Sequence, residues 1–270
     1  AFQMVVFKHD THQYFYEDEE YKSVSSIISS LKKPFDKQYW LEKKAKDKGI
    51  TPEELEQEWN ETNRLAIEKG KKYHDEQERI LISSGKNVIK SIHNHDGFKV
   101  AFDLSELKPA TYPELLLYLP SHRIAGQSDT VIIHEDKTFT IRDFKTNKKL
   151  DFQGFKYFDP VKREKVTQKM LHPVSHLDDC NGMHYTIQLS LYAYMLEQYG
   201  FKCKDLYIDH VIFDDCLCGG SSRSSRYGHI QRYDQDSEWR SGNADGKIDE
   251  AHWEWTISCR SAFAWLRWNC

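Results

Sequence analysis

Two strand-like segments joined by a short polar turn constrain the fold more than any other feature of the chain. The first segment spans residues 123–134 and the second spans 138–146, with Glu135-Asp136-Lys137 between them. Both segments are rich in β-branched and apolar residues, and the turn is charged, which is the pattern of a β-hairpin. The chain is therefore predicted to contain two long antiparallel neighbours in a sheet.

Strand periodicity sets the directions of the side chains in this hairpin. Residues i and i+2 point to the same face, so Asp143 and Lys145 share a face and Phe144 points the other way, into apolar packing. A hairpin that closes symmetrically about Asp136 sets Asp129 directly opposite Asp143, whereas a two-residue turn sets them diagonally. In either register the two carboxylates lie within reach of one ion.

Two adjacent carboxylates repel each other unless a cation lies between them. Carboxylate oxygens are the hard ligands that Mg²⁺ and Mn²⁺ prefer, and a lysine beside such an ion can orient or deprotonate water and offset negative charge. This combination suits the hydrolysis of a phosphodiester. A single Asp-x-Lys on a strand is nevertheless most often a solvated face, so the prediction depends on the residues that accompany it.

Four further elements accompany the hairpin in a fixed order. A helical Gly70-Lys-Lys-Tyr-His74 and a strand-like segment with Glu114 precede it, and a helical Gln188-Leu-Ser-Leu-Tyr192 follows it. In this order the chain resembles the RecB-like branch of the PD-(D/E)XK nuclease superfamily, over about residues 23–192. Asp143 replaces the commoner Glu of that branch. The resemblance implies an α/β fold with a restriction-endonuclease-like core, a central mixed β-sheet flanked by helices.

The resemblance also implies roles for individual residues. It implies a metal site whose ligands are His74, Asp129, Asp143 and the backbone carbonyl of Phe144, and a second metal ion near Glu114. The catalytic residues that it implies are Asp129, Asp143, Lys145, Gln188 and Tyr192. Gln188 would position Lys145 or a phosphate, and Tyr192 would contact DNA. The implied cofactor is Mg²⁺ or Mn²⁺, as one or two ions.

Ordinary structural explanations stand beside three of these roles. A lone His74 is more typical of a surface or capping histidine, and Glu114 is equally an edge-strand carboxylate. Gln188 and Tyr192 share a helix face, and a tyrosine on such a face is often a core residue.

The length and composition predict one domain. The 270 residues fit a single nuclease domain over 1–270, with an N-terminal helical part at about 23–82 and a basic insertion at about 151–182. Hydrophobic residues make up 39% and charged residues 30% of the chain, and no apolar run is long enough for a transmembrane helix, so no membrane partner is expected. The start lacks the basic segment of a signal peptide. A cytoplasmic location is therefore expected, in a host cell if a phage encodes the protein.

The net charge of −4 is low for a protein that binds nucleic acid, so the distribution of charge matters more than the sum. Residues 142–169 carry nine Lys or Arg against four acids, directly after the predicted catalytic strand. This stretch predicts a local basic groove for DNA. The candidate DNA-binding residues are Lys148, Lys149, Lys156, Lys162 and Arg163, with Tyr192.

The six cysteines have no zinc-finger spacing, and none precedes Cys180. Relatives with an iron–sulfur cluster use one early and three late cysteines, so no cluster is expected. The cysteines are interpreted as reduced, intracellular thiols.

Sequence signals also predict several element boundaries. Ser23 is a good N-cap for a helix from Val24 to Lys32. A second helix is predicted over Asp36–Lys48 and closed by Gly49. Thr51-Pro52-Glu53-Glu54 starts a third helix toward Ile82, with Gly70 as a candidate break.

The expected activity is that of a metal-dependent DNA exonuclease in recombination, repair or phage DNA metabolism. The alternatives are a structure-specific, flap-type endonuclease and a non-catalytic nucleic-acid-binding protein. A recombinase or a single-strand-binding protein would be a natural partner. No Gly-x-x-x-x-Gly-Lys-Ser/Thr motif is present, so the chain has no ATP motor of its own.

Overall fold

A large mixed β-sheet organises the protein in the computed structural model, which describes residues 4–84 and 87–213 and the backbone of 227–234. Among these residues, ten strands form one sheet in the order β12-β11-β8-β7-β3-β2-β1-β5-β4, with β6 on β7. Its strands are β1 (Val6–Lys8), β2 (Gln13–Tyr16), β3 (Glu19–Ser23), β4 (Ile92–His93), β5 (Lys99–Val100), β6 (Ala110–Leu119), β7 (Ile124–Ile133), β8 (Thr138–Lys145), β11 (Lys202–Phe213) and β12 (Tyr227–Asp234). A separate hairpin consists of β9 (Lys156–Asp159) and β10 (Glu164–Thr167).

Four α-helices are described: α1 (Val24–Ser30), α2 (Lys37–Lys48), α3 (Pro52–Ser83) and α4 (Asn181–Gln198). The start of α3 shows why the sequence folds as it does. The side chain of Thr51 accepts the N–H of Glu54, and the carboxylate of Glu54 accepts the N–H of Thr51, so two otherwise unpaired donors are satisfied. At the end of α2, Gly49 adopts the left-handed conformation that terminates a helix.

Two helix predictions differ from the structure. The helix α3 continues through Gly70 to Ser83 without a break, because an isolated glycine weakens a helix by only about 1 kcal/mol and neighbouring contacts offset that cost. The helix α1 ends at Ser30 rather than Lys32, with Leu31 as its C-cap. The hairpin of β7 and β8 and the second helix lie where the sequence predicts them.

The helices cover both faces of the sheet around β8. Phe144 packs with Tyr73 of α3 and Val211 of β11, whereas Lys145 reaches Gln188 of α4. Because successive strand residues face opposite sides, α3 and α4 lie on opposite faces there. The prediction of an α/β protein with a mixed central sheet flanked by helices is therefore confirmed.

The main core lies between the sheet and α4. It includes Leu115, Leu117, Ile141, Met195 and Leu196, all of which are fully buried. A smaller cluster joins α2 to α3 through Leu41, Ala45 and Leu55. None of the described helices is both long enough and apolar enough to cross a membrane.

The segment predicted as a basic, poorly periodic insertion has structure of its own. The hairpin of β9 and β10 occupies its middle, with Lys165 opposite Phe158 and Glu164 opposite Asp159. Its base is tied down, since Asp178 accepts the N–H of Gly154 at 2.9 Å. The segment is therefore an ordered hairpin on a fixed base.

Candidate active site

The site lies at a fork in the sheet, which is the gap along β7 at residues 126–129 between its pairings with β3 and with β8. Along one edge of β7, β3 pairs with Ile124 and Ala125, and β8 pairs with residues from Thr130 to Ile133. Between these pairings, residues 126–129 have neither strand beside them. Asp129 is therefore the first residue of β7 beyond the last pair with β8, Thr130–Arg142, which frees its carboxylate from the regular ladder.

The register of the hairpin is the symmetric one. Ile133 pairs with Phe139 and Thr130 pairs with Arg142, one position before Asp129 and Asp143. The carboxylate of Asp129 accepts the main-chain N–H of Phe144 at 2.6 Å. This bond closes the end of the ladder and holds Asp129 beside Asp143.

Asp143 and Lys145 meet on the face toward α4, as their spacing predicts. Lys145 Nζ lies 2.5 Å from Asp143 Oδ2 and 3.2 Å from Gln188 Oε1. Lys145 Nζ also lies 4.4 Å from the centre of the Tyr185 ring. An ion pair, an amide oxygen and an aromatic face thus hold the ammonium in one position.

The surroundings shift the pKa values of this pair. Asp143 is 2% exposed. Burial raises its pKa to about 6, the charge of Lys145 opposes the rise, and the charge of Asp129 adds to it. For Lys145, burial lowers the pKa, but the charges of Asp143 and Asp129 outweigh burial, so the pKa is raised overall. Lys145 is therefore an ammonium near neutral pH, which favours charge stabilisation over the role of a base.

His74 joins the carboxylates from α3. Its Nδ1 lies 3.3 Å from Asp129 Oδ1. Burial lowers the pKa of His74, but the hydrogen bond and charge of Asp129, together with the charge of Asp143, raise it overall. One turn earlier, a Cβ placed on Gly70 would lie 3.0 Å from Thr146 Oγ1. The glycine thus lets α3 approach the end of β8 closely.

Glu114 lies on β6, opposite Asp129 of the neighbouring strand β7. Pro113 pairs with Thr130 and Leu115 pairs with Ser128, so Glu114 faces Asp129 in the row between them. Its φ of +46° is a left-handed conformation that costs a non-glycine residue about 1 kcal/mol or more. The sheet therefore brings three carboxylates, Glu114, Asp129 and Asp143, into adjacent positions on three neighbouring strands.

A second group of charges surrounds Glu114. Lys99 Nζ lies 2.9 Å from Glu114 Oε2 and 3.3 Å from Gln127 Oε1. Burial raises the pKa of Glu78, and the charge of Glu114 raises it further. A small cleft of about 240 Å³, counting its open mouth, is lined by His74, Gln77, Glu78, Pro113, Glu114, Asp129, Thr130 and Phe144.

The donor types around this cleft suit a hard divalent cation. Asp129, Asp143 and His74 supply oxygen and imidazole donors. Asp143 Oδ2 is buried and has the ion pair with Lys145 but no directional hydrogen bond among the described residues. A buried carboxylate oxygen requires positive charge beside it, which Lys145 supplies here and which a metal ion would also supply.

In their present positions these side chains do not form a closed coordination sphere. Within residues 4–84 and 87–213, no group of three or more His, Cys, Asp or Glu side chains converges on one point. Asp129 is turned toward the N–H of Phe144 and the imidazole of His74, and Asp143 toward Lys145. These three polar partners thus occupy the carboxylate oxygens that would serve as metal ligands.

Gln188 and Tyr192 lie next to the fork. Gln188 Nε2 donates to the Tyr192 hydroxyl at 3.1 Å, and that hydroxyl donates to the carbonyl of Gln127 at 2.9 Å. Tyr192 is 3% exposed. The expected contact of Tyr192 with DNA therefore finds no exposed surface, because the ring is packed under β7 against Gly126 and its hydroxyl donates to the carbonyl of Gln127.

The predicted DNA-binding residues form a surface group. All five are exposed: Lys148, Lys149, Lys156, Lys162 and Arg163. Lys149 forms an ion pair with Asp151 at 2.5 Å, whereas Lys156, Lys162 and Arg163 lie on the hairpin of β9 and β10. Their binding of DNA stays a prediction.

Sequence reasoning missed several residues of the site. Arg142 Nη2 lies 2.5 Å from Asp209 Oδ2, and His210 Nε2 lies 2.7 Å from the carbonyl of Asn147. Asp209 and His210 come from β11, whose parallel pairing with β8 joins segments 65 residues apart. No local sequence pattern could therefore predict them. Glu78 was detectable, since it lies one turn after His74 on the same helix face.

Comparisons of the chain with protein-family models, with curated proteins and with solved structures found no match.

Proposed function

We propose that the protein is a divalent-metal-dependent nuclease with a restriction-endonuclease-like core, and that it acts on DNA as an exonuclease. One observation carries the proposal: Asp129, Asp143 and Lys145 lie side by side where β8 separates from β7, and His74 adjoins them. Mg²⁺ or Mn²⁺, as one or two ions, is the proposed cofactor. Asp129, Asp143, His74 and the carbonyl of Phe144 are the proposed ligands, with Glu114 near a second ion.

The bound cation would polarise the scissile phosphate and lower the pKa of a water molecule. The protein supplies the positions of the other groups. Lys145 offsets the negative charge that develops on the phosphate and orients the attacking water. Gln188 fixes the ammonium through its 3.2 Å contact, and Tyr192 fixes Gln188 in turn.

The separation of β8 from β7 explains why an ion would bind here rather than elsewhere on the sheet. Between fully paired strands, backbone hydrogen bonds and neighbouring side chains leave no room for a hydrated ion. At the fork the ladder stops, and the helix α3 approaches closely because residue 70 is glycine. Glu114 and Asp129 therefore line a cleft that opens to solvent, and Asp143 directly precedes Phe144, which also lines it.

A gel time course would test this proposal. Single- and double-stranded DNA, each labelled at either end, would be incubated with Mg²⁺ or Mn²⁺ and the wild-type or Lys145→Ala protein. Lys22→Ala is the matched control, since it removes one exposed lysine from the same sheet and leaves the site intact. Stepwise shortening by the wild type and the control, but not by Lys145→Ala, is the expected result.

Other results would redirect the proposal. Cutting of a circular substrate would indicate the endonuclease. Tight DNA binding without metal-dependent cleavage would indicate a non-catalytic binding protein. Cleavage by Lys145→Ala at the wild-type rate would contradict the mechanism.

A further inference from the structure

Exposed aromatic side chains are confined to two segments of the protein. In residues 4–84 and 87–213, every exposed Phe, Tyr or Trp lies either at the start of α2 or on the hairpin of β9 and β10. They are Phe35 and Tyr39 in the first segment and Phe155, Tyr157 and Phe158 in the second. Phe155 and Phe158 are each 61% exposed, although burial of such a side chain would contribute about 1.5–3 kcal/mol to stability.

The two segments touch through their aromatic rings. The rings of Trp40 and Phe155 meet edge to face, with centroids 6.5 Å apart. Lys43 Nζ lies 5.1 Å from the centre of the Trp40 ring and 5.5 Å from that of Tyr39. The ladder of the hairpin continues to Phe155, whose carbonyl accepts the N–H of Gln168, so Phe155 shares a face with Tyr157 and joins α2 to that face.

The pairing of β9 with β10 separates the charges of the hairpin onto its two faces. Phe158 pairs with Lys165, and Lys156, two residues before Phe158, is on the same face. Tyr157 is on the other face, together with the acidic pair Asp159 and Glu164. One face thus presents a phenyl ring between two lysines, and the opposite face carries both acids of these strands.

These lysines are free to bind an external anion. Lys156 and Lys165 have no ion-pair partner among the described residues, in contrast to Lys169, which pairs with Asp178 at the base. The hairpin also follows directly from the catalytic strand. Nine residues, from Thr146 to Gly154, separate Lys145 from Phe155, and Thr146 contacts α3.

We propose that this face of the hairpin binds single-stranded nucleic acid and leads it to the site at the fork. The inference rests on the proposed nuclease function and names its substrate class. Phe158 stacks on an unpaired base, and Lys156 and Lys165 contact the flanking phosphates. Stacking requires a base with an open face, which a duplex does not offer in its interior, and the alternation of ring and cation matches the alternation of base and phosphate.

Binding without catalysis would test the inference. Fluorescence anisotropy would measure the affinity of a labelled dT20 oligonucleotide and of a 20-base-pair duplex in EDTA, for wild type, Phe158→Ala and Lys156→Ala/Lys165→Ala. Tyr157→Ala is the matched control, since it removes an aromatic ring from the other face of the same strand. Circular dichroism would verify that each variant is folded.

We expect Phe158→Ala to weaken dT20 binding about tenfold, because one stacked base is lost, and Tyr157→Ala to bind as the wild type does. The double lysine variant should lower the slope of log affinity against log salt by about 1.4, because two phosphate contacts are lost from a single strand. Phe158→Ala should leave that slope unchanged.

Three outcomes would overturn the inference. They are equal dT20 affinity in wild type and Phe158→Ala, equal losses in Phe158→Ala and Tyr157→Ala, and self-association of the wild type that Phe158→Ala abolishes. Because the assay contains no metal, these outcomes are independent of cleavage. If Phe158→Ala binds dT20 as the wild type does and the wild type cleaves DNA, this inference alone is refuted. If Phe158→Ala binds dT20 more weakly but the wild type cleaves no substrate, the nuclease alone is refuted.

Discussion

The carboxylate of Asp129 accepts the main-chain N–H of Phe144 at 2.6 Å, across the point where β7 and β8 separate. One side chain therefore closes the end of a β-ladder and also stands in the proposed metal site. The two roles can be separated by substitution, because an amide oxygen accepts a hydrogen bond as a carboxylate does but carries no charge.

Substitution of Asp129 should separate stability from activity. Asp129→Ala should lower the free energy of unfolding by about 1–3 kcal/mol, because the N–H of Phe144 loses its acceptor. Asp129→Asn should retain most of that stability but lose metal-dependent cleavage. Urea denaturation and the gel assay would measure both. Equal unfolding energies for the two variants would contradict the structural role.

Substitution of His74 should weaken metal binding. His74 Nδ1 faces Asp129 at 3.3 Å, so His74→Ala should lower the affinity for Mn²⁺ at least tenfold, as the loss of a metal-site group generally does. Calorimetric titration with Mn²⁺ would measure this. His95→Ala, which changes an exposed histidine in the turn between β4 and β5, is the control, and an unchanged affinity in His74→Ala would remove His74 from the ligand set.

Substitution of Gln188 should affect catalysis more than substrate binding. Gln188→Leu removes the acceptor for Lys145 and the donor to Tyr192, so the ammonium is positioned less well. We expect kcat to fall with little change in KM, and by less than in Lys145→Ala, for which a loss of about 10²–10³-fold is typical of a removed charge-stabilising group. A change confined to KM would show that Gln188 serves substrate binding instead.

Gly126 and Tyr192 should be energetically coupled. A Cβ on Gly126 would lie 2.6 Å from Tyr192 Cε1, so Gly126→Ala should cost about 1–3 kcal/mol through overpacking. In a Tyr192→Leu background the same substitution should cost less, because the ring edge is gone. A double-mutant cycle by urea denaturation would measure the coupling, and additive effects would contradict the close approach.

The stability of the metal-free protein should depend on pH through Asp143. Burial raises its pKa to about 6 in the folded state, above the ordinary value of 3.8. The folded protein therefore binds the proton more tightly than the unfolded chain, and this contribution is fully present below about pH 4 and is lost as the pH rises through about 6. Asp143→Asn should remove this part of the dependence.

Thermal unfolding in EDTA across this pH range would measure the effect of Asp143. Asp18→Asn is the control, because that carboxylate is exposed in the turn between β2 and β3. Identical profiles for the wild type and Asp143→Asn would show that burial does not disfavour the carboxylate.

Sequence alone predicted the local features of the site. Strand alternation placed Asp143 and Lys145 on one face, and the helix spacing placed Gln188 and Tyr192 on one face. The turn left two registers open, and the structure has the symmetric one. These predictions depend on residues a few positions apart, for which backbone geometry leaves few choices. Identification of the site as a metal-dependent nuclease came from resemblance and remains a proposal.

Tertiary structure decided the features that depend on distant segments. The parallel pairing of β11 with β8 brings Asp209 to Arg142, and the end of β3 opposite the end of β8 creates the fork at Asp129. Tyr192 is buried because α4 packs its ring against Gly126 of β7, where its hydroxyl donates to the carbonyl of Gln127. Periodicity cannot predict such contacts, since the packing of whole elements, rather than local backbone preference, sets which strand ends meet.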